Sequence, residues 1–186
     1  MSVPGGSGGN KRVASRYVHE GRVLKLRIDT FRLPNGKEVE REVVEHRGAV
    51  ALVAFDNEER VLLVRQYRAA VERPLLELPA GTLEAGEEPE KCAARELAEE
   101  TGFRPGRLKL LTGFYSAPGF CSEYLHIYQA NDLAPEHAEA DEDEDIQVER
   151  QTLAECVELI RAGEIRDAKS IVGILAVRAG WGNEPA

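Results

Sequence analysis

Seven consecutive apolar residues, Ala49-Val-Ala-Leu-Val-Ala-Phe55, constrain this chain more than any other feature. Such a run offers no polar face to water, so it reads as a buried central strand. Asp56-Asn57-Glu58-Glu59 then turns the chain, and Val61-Leu-Leu-Val64 returns as a strand into Arg65-Gln-Tyr-Arg68. Leu75 to Leu78 reads as a short strand ending at Pro79-Ala80-Gly81. Residues 87–101 follow a helical pattern, with Ala93, Ala94, Leu97 and Ala98 on one face. Pro89 is tolerated in a first turn, Gly102 suits a C-cap and Pro105 prevents continuation. Further strands are expected at 108–115, 124–130 and 146–151. Thr152 and Glu155 form a capping box for a helix through about Arg161, and Asp167 caps a last helix carrying Ile171, Ile174, Leu175 and Val177. Upstream, 22–29 and 39–45 look like strands separated by the turn dipeptide in Pro34-Asn35-Gly36. A small sheet alone is marginal in water, so this one must pack on the main domain or on a second subunit.

The composition narrows the function. A chain of 186 residues with 42% apolar and 31% charged residues is long enough to bury a core. No apolar stretch approaches the ~20 residues that span a bilayer, and MSVPGGSGGN has no apolar centre of the kind a secretory signal needs. A net charge of −9 argues against binding a nucleic-acid backbone or an anionic membrane. It leaves room for small phosphorylated substrates bridged by a cation. Cys92, Cys121 and Cys156 show no CxxC spacing, which fits a reducing cytoplasm.

The segment that carries chemistry runs from Gly81 to Phe103. Glu96, Glu99 and Glu100, at i, i+3 and i+4, put three carboxylates on one helix face. Like charges so placed repel, and each pair costs a few tenths of a kcal/mol, roughly, on an exposed helix. A hard divalent cation reverses the sign, since magnesium takes oxygen ligands and bridges to phosphates. Three glutamates on a helix, taken alone, describe a solvated face. The wider pattern is more specific: Gly81, five residues, Glu87, seven residues, then Arg95-Glu96-Leu97-Ala98-Glu99-Glu100-Thr101-Gly102-Phe103. This matches GX5EX7REUXEEXGU, with U a bulky apolar residue, and resembles the signature of the Nudix hydrolases.

That resemblance implies hydrolysis of a nucleoside diphosphate linked to another group, on an α/β/α sandwich with a mixed sheet, preceded here by a small antiparallel N-terminal sheet. It implies two or three Mg²⁺ or Mn²⁺ ions held by Glu96, Glu99, Glu100 and the carbonyl of Ala80. Glu87 and Arg95 look like the pair that orients these glutamates, and Arg95 and Glu99 join the catalytic set. Outside the box, Pro118 lies 118 − 102 = 16 residues after Gly102, a spacing similar to that of the ADP-ribose pyrophosphatase subgroup. The acidic run Asp141-Glu142-Asp143-Glu144-Asp145 resembles the subgroup's mobile loop. There Glu142 is the candidate base and Glu144 a candidate extra metal contact, with the two roles interchangeable at this stage. Arg41 and Glu42 resemble the strand that meets adenine and ribose, and Arg68 the arginine that meets a substrate phosphate. For Arg41 and Arg68 plain surface charge remains open, as does a simple turn for Pro118-Gly119.

The resemblance thus implies ADP-ribose cleaved to AMP and ribose 5-phosphate. The alternative keeps the box and changes the substrate to another nucleoside diphosphate sugar such as GDP-mannose. A non-catalytic nucleotide-binding module should have lost the metal carboxylates, which are intact here. The expected organisation is a flexible tail over 1–12, an N-terminal sheet for dimerisation and substrate contact over 13–45, and a Nudix hydrolase domain over 46–186. A domain-swapped homodimer is expected, with no nucleic-acid partner, no membrane and a cytoplasmic location.

Overall fold

A computed structural model of the chain describes residues 9–136 and 146–181. They fall into two compact units, Met1–Arg47 with Ala117–Glu123, and Gly48–Ser116 with Tyr124–Ala186.

In the first unit, β1 (Lys11–Glu20), β2 (Leu24–Arg32) and β3 (Glu38–His46) form an antiparallel sheet in that order. The turn between β2 and β3 falls at Pro34-Asn35-Gly36, where Gly36 takes φ +82° and donates to the Leu33 carbonyl. A left-handed φ of this kind favours glycine. The segment Ala117–Glu123 is tied to β3, with Val44 N–H on the Phe120 carbonyl (2.8 Å) and Ser122 N–H on the Val44 carbonyl (2.9 Å). Strand β1 is the element the sequence does not single out. All ten of its residues are exposed, so no burial imprints an inside–outside alternation on them.

The second unit contains β4 (Ala49–Ala54), β5 (Arg60–Arg68), β6 (Arg73–Glu77), β7 (Ala80–Thr82), α1 (Pro89–Thr101), β8 (Phe103–Arg104), β9 (Arg107–Tyr115), β10 (Tyr124–Asn131), β11 (Ala134–Pro135), β12 (Gln147–Thr152), α2 (Leu153–Ala162) and α3 (Ala168–Arg178). The mixed sheet has the order β7-β4-β10-β9, with β4 and β10 parallel and the other pairs antiparallel. A second sheet, β12-β5-β6, is antiparallel, and β11-β8 is a short ribbon.

Every residue of β4 is buried, as its unbroken apolar run requires. Successive side chains point to opposite faces, so one strand feeds two cores. Ala49, Ala51 and Val53 join Leu63, Leu78, Ile127, Cys156 and Ile174, the core lined by α2 and α3. Val50, Leu52 and Ala54 join Leu62, Cys92, Ala93, Leu97 and Ala130, the core lined by α1. The result is an α/β/α sandwich. Helix ends obey local chemistry: Gly102 caps α1 at φ +74°, Thr152 and Glu155 close a capping box on α2, and the Asp167 carboxylate accepts from Ser170 N–H on α3. No helix among the described residues is long and apolar enough to cross a membrane.

Candidate active site

The site is built outward from β4. Leu52 N–H donates to the Pro79 carbonyl, and β7 pairs with β4 through Val50–Gly81 and Ala51–Ala80. This fixes the backbone at Ala80 and Gly81. Helix α1 then buries Cys92, Ala93 and Leu97 against β4, which turns Arg95, Glu96 and Glu99 away from the core. Glu100, 8% exposed, lies at the edge of the core, and its Oε2 accepts from Ala80 N–H at 2.9 Å. The Glu96 carboxylate packs onto Gly81: a Cβ built there would meet Glu96 Cδ at 1.8 Å. Only a residue without a side chain permits that approach.

One guanidinium organises the rest. Arg95 Nε and Nη2 fork the two oxygens of Glu87 at 2.9 and 3.0 Å. Its Nη1 donates to Glu96 Oε1 at 2.8 Å and to Glu99 Oε2 at 2.9 Å. Glu87 also accepts from Glu84 N–H at 2.9 Å. The hydrogen bond from Arg95 pulls the Glu87 carboxyl down to about 2, and the same bond raises Arg95 above its already high value. Burial pushes the neighbouring Cys92 thiol up to about 12, so it stays protonated and is no nucleophile.

The arrangement suits a hard divalent cation. The carboxylates of Glu87, Glu96 and Glu99 share the one Arg95 guanidinium, and Glu100 is seated separately on Ala80 N–H, so the charge around Arg95 stays negative. The nearby donors are oxygens, which is magnesium or manganese chemistry rather than zinc chemistry. The Gly81 cradle gives Glu96 a defined seat, and Ala80 N–H gives Glu100 one. Among the described residues no three His, Cys, Asp or Glu side chains form a closed ligating cluster.

The remaining sequence candidates separate. Arg68, at the end of β5, forks Glu77 with Nε–Oε1 at 3.0 Å and Nη2–Oε2 at 2.7 Å. Arg41 and Glu42 are exposed on β3, where Arg41 Nη1 donates to the Glu40 carbonyl at 2.9 Å. Pro118 lies exposed in the segment tied to β3, so Arg41, Glu42 and Pro118 belong to one unit. Glu142 and Glu144 lie outside the described residues. Sequence reasoning missed Glu77, which is 1% exposed and is met by both Arg68 and Lys169. The available signal was a lone carboxylate inside the apolar strand Leu75–Leu78. It also missed Asp29, buried in the N-terminal sheet under Ser15 (2.6 Å) and Arg27 (3.1 Å).

Residues 45–171 match the model of the NUDIX domain, and residues 11–44 match that of the nucleoside diphosphate sugar hydrolase N-terminal domain. The chain is 42% identical to an ADP-ribose pyrophosphatase of Bacillus subtilis, over 88% of this chain and 90% of that one. It is 40% identical to a methanol dehydrogenase activator of Bacillus methanolicus, with the same coverage of 88% and 90%. A crystal structure of an ADP compounds hydrolase superposes with a TM-score of 0.82 at 26% identity, covering 92% of this chain and 94% of the other.

Proposed function

The chain belongs to the Nudix family, and we propose on that premise that it hydrolyses the pyrophosphate bond of ADP-ribose to AMP and ribose 5-phosphate. The observation that carries the chemistry is the α1 face: Glu96, Glu99 and Glu100 beside Ala80, with two of these carboxylates held by Arg95 and the third by Ala80 N–H. The ADP-ribose assignment draws support from the relatives named above and from Pro118 and the acidic run at 141–145.

Glu96, Glu99, Glu100 and the Ala80 carbonyl would hold Mg²⁺ or Mn²⁺, in two or three ions. Such ions supply charge neutralisation for the diphosphate and a more acidic water. Arg95 holds Glu96 and Glu99 in orientation, and Glu87 anchors Arg95 in turn. One water is consumed. Its oxygen forms the new bond to phosphorus while the bridging P–O bond breaks and the departing phosphate oxygen keeps the electron pair. The water's proton passes to a carboxylate, for which Glu142 is the first candidate and Glu144 the second. Arg41 and Glu42 meet the adenine and ribose, Pro118 is a further substrate contact, and Arg68 serves the phosphates with whatever donor capacity its fork on Glu77 leaves. The active form is a domain-swapped homodimer. The three cysteines carry no disulfide, in keeping with a cytoplasmic enzyme.

Release of AMP from ADP-ribose, with and without Mg²⁺ and beside GDP-mannose and other nucleoside diphosphate sugars, tests the reading. Metal-dependent AMP release with ADP-ribose preferred is expected. Preference for a GDP-sugar would replace the substrate and keep the box chemistry. No hydrolysis of any panel member by folded, metal-loaded protein would overturn the proposal.

A further inference from the structure

A second charged cluster forms around Glu77, and its Arg68 also feels the charge of Glu100. Glu77 is almost fully buried, and two cations reach it. Arg68 forks both of its oxygens, and Lys169 Nζ contacts Oε2. Lys169 Nζ also donates to Asp167 Oδ2 at 2.8 Å, the same oxygen that accepts from Ser170 N–H at 3.1 Å. Ser170, itself fully buried, accepts from Leu78 N–H through its Oγ at 2.7 Å. The first turn of α3 therefore grips the chain at two successive residues, Glu77 and Leu78. Two residues further on, Ala80 N–H meets Glu100, and Gly81 cradles Glu96.

The segment 77–81 is thus pinned along its length. Arg68 and Lys169 hold Glu77, Ser170 holds Leu78, Leu52 holds Pro79, and Glu100 holds Ala80. Pro79 adds stiffness by fixing its own φ. The cluster is a poor device for stability alone. Asp167 Oδ1 is buried and has no hydrogen-bond partner among the described residues, an arrangement that costs free energy. A buried ion pair is in general weak grounds for stability, since desolvation offsets much of the attraction.

We propose that Lys169 and Ser170 are positioning residues for metal binding: through Glu77 and the Leu78 N–H they hold the Ala80–Gly81 backbone where Glu96 and Glu100 can serve a divalent ion. This rests on the metal-dependent reading above. The helix that grips this segment lies on the opposite side of the sheet from α1, so the site is fixed from both faces of the sandwich.

Direct Mn²⁺ binding, read by the electron paramagnetic resonance of free Mn²⁺ without substrate, tests it in the full chain. Lys169→Met removes the charge and keeps most of the volume. It is expected to raise the Mn²⁺ dissociation constant about tenfold, the low end of what supporting residues around metal ligands contribute. Lys169→Arg should restore binding to within about twofold, because a second cation can still meet Glu77. Ser170→Ala, which deletes one oxygen and little volume, should weaken Mn²⁺ binding in the same direction. It decides the matter if Lys169→Met does not fold. Turnover of the variants should recover as Mn²⁺ is raised, whereas KM for ADP-ribose at saturating metal should stay near wild type. Variants that melt earlier and yet bind Mn²⁺ like an active wild type would overturn the positioning role alone. A wild-type protein that neither binds Mn²⁺ nor hydrolyses any nucleoside diphosphate sugar would overturn this role together with the proposed function.

Discussion

At Gly81 the backbone and the Glu96 carboxylate are packed so closely that even one methyl group has no room. Gly81→Ala should therefore drive Glu96 out of its seat. Because Gly81 is only half-buried and its φ is not left-handed, folding should suffer little. The expected result is a fall in kcat/KM of about 100-fold, the upper end of what displaced support around a metal ligand costs, with a Tm close to wild type. Wild-type turnover would remove Glu96 from the metal set. Glu100→Gln makes a complementary test. The amide oxygen can still accept from Ala80 N–H, so the helix seat survives while a ligand charge is lost. Turnover should drop by about 100-fold, corresponding to roughly 3 kcal/mol of lost electrostatic stabilisation. Glu87 carries a pH signature instead. Its folded carboxyl titrates at about 2 against an ordinary 4.5. A depressed value stabilises the fold above the ordinary value, and that contribution drains away as pH falls towards about 2. The Tm gap between wild type and Glu87→Gln should hold from neutrality to about pH 5 and close below it; a gap independent of pH would deny the Arg95–Glu87 pair its role. The Glu96, Glu99 and Glu100 face was legible in the sequence because helical spacing places residues by arithmetic, whereas the Glu87–Arg95 pair, whose glutamate precedes the helix, followed only from the resemblance to the Nudix signature. Glu77 and Lys169 were not, since 169 − 77 = 92 positions separate them in the sequence. Nothing local pairs a strand carboxylate with a lysine on a distant helix.

The elements follow the same division between local and distant causes. Helices α1, α2 and α3 begin where proline, the Thr152–Glu155 box and Asp167 require, and α1 and α2 end at the cap glycines Gly102 and Gly163, because capping is settled by neighbouring residues. Strand β5 runs on through Arg65 and Arg68, past the apolar stretch that marked it, because β12 and β6 supply hydrogen bonds on either side. Strand β7 exists only because β4 is there to pair with it. Gly173 in α3 shows a distant cause opposing a local one. Alanine there would gain about 1 kcal/mol of helix propensity. Its Cβ, however, would meet Leu78 Cδ1 at 2.7 Å and Val53 Cγ2 at 3.1 Å, and both side chains are fully buried with nowhere to move. Overpacking of this kind costs about 1–3 kcal/mol. Gly173→Ala is thus expected to be net destabilising by about 1 kcal/mol in denaturant titration, while a more stable variant would show that α3 can slide off the sheet.

For the molecule as a whole, the informative strand is β1, the one least legible in the sequence. A chain that folded only to bury its own core would have no reason to keep a ten-residue strand whose every residue is exposed, with Val13, Tyr17 and Val18 among them. Three-stranded sheets need a covered apolar face to persist in water. The homodimer proposed above would supply that cover. Light scattering after gel filtration should then give twice the 20.5 kDa chain mass. A double substitution, Tyr17→Lys with Val18→Asp, leaves α1 and its carboxylates untouched. It should shift the protein to monomer and raise KM for ADP-ribose far more than it changes Mn²⁺ affinity, because Glu96, Glu99 and Glu100, proposed to hold the metal, lie in the second unit and Arg41 and Glu42, proposed to contact the nucleoside, lie in the first. A wild-type monomer with full activity would assign the whole reaction to one chain, and the exposed face of β1 would then have no part in catalysis.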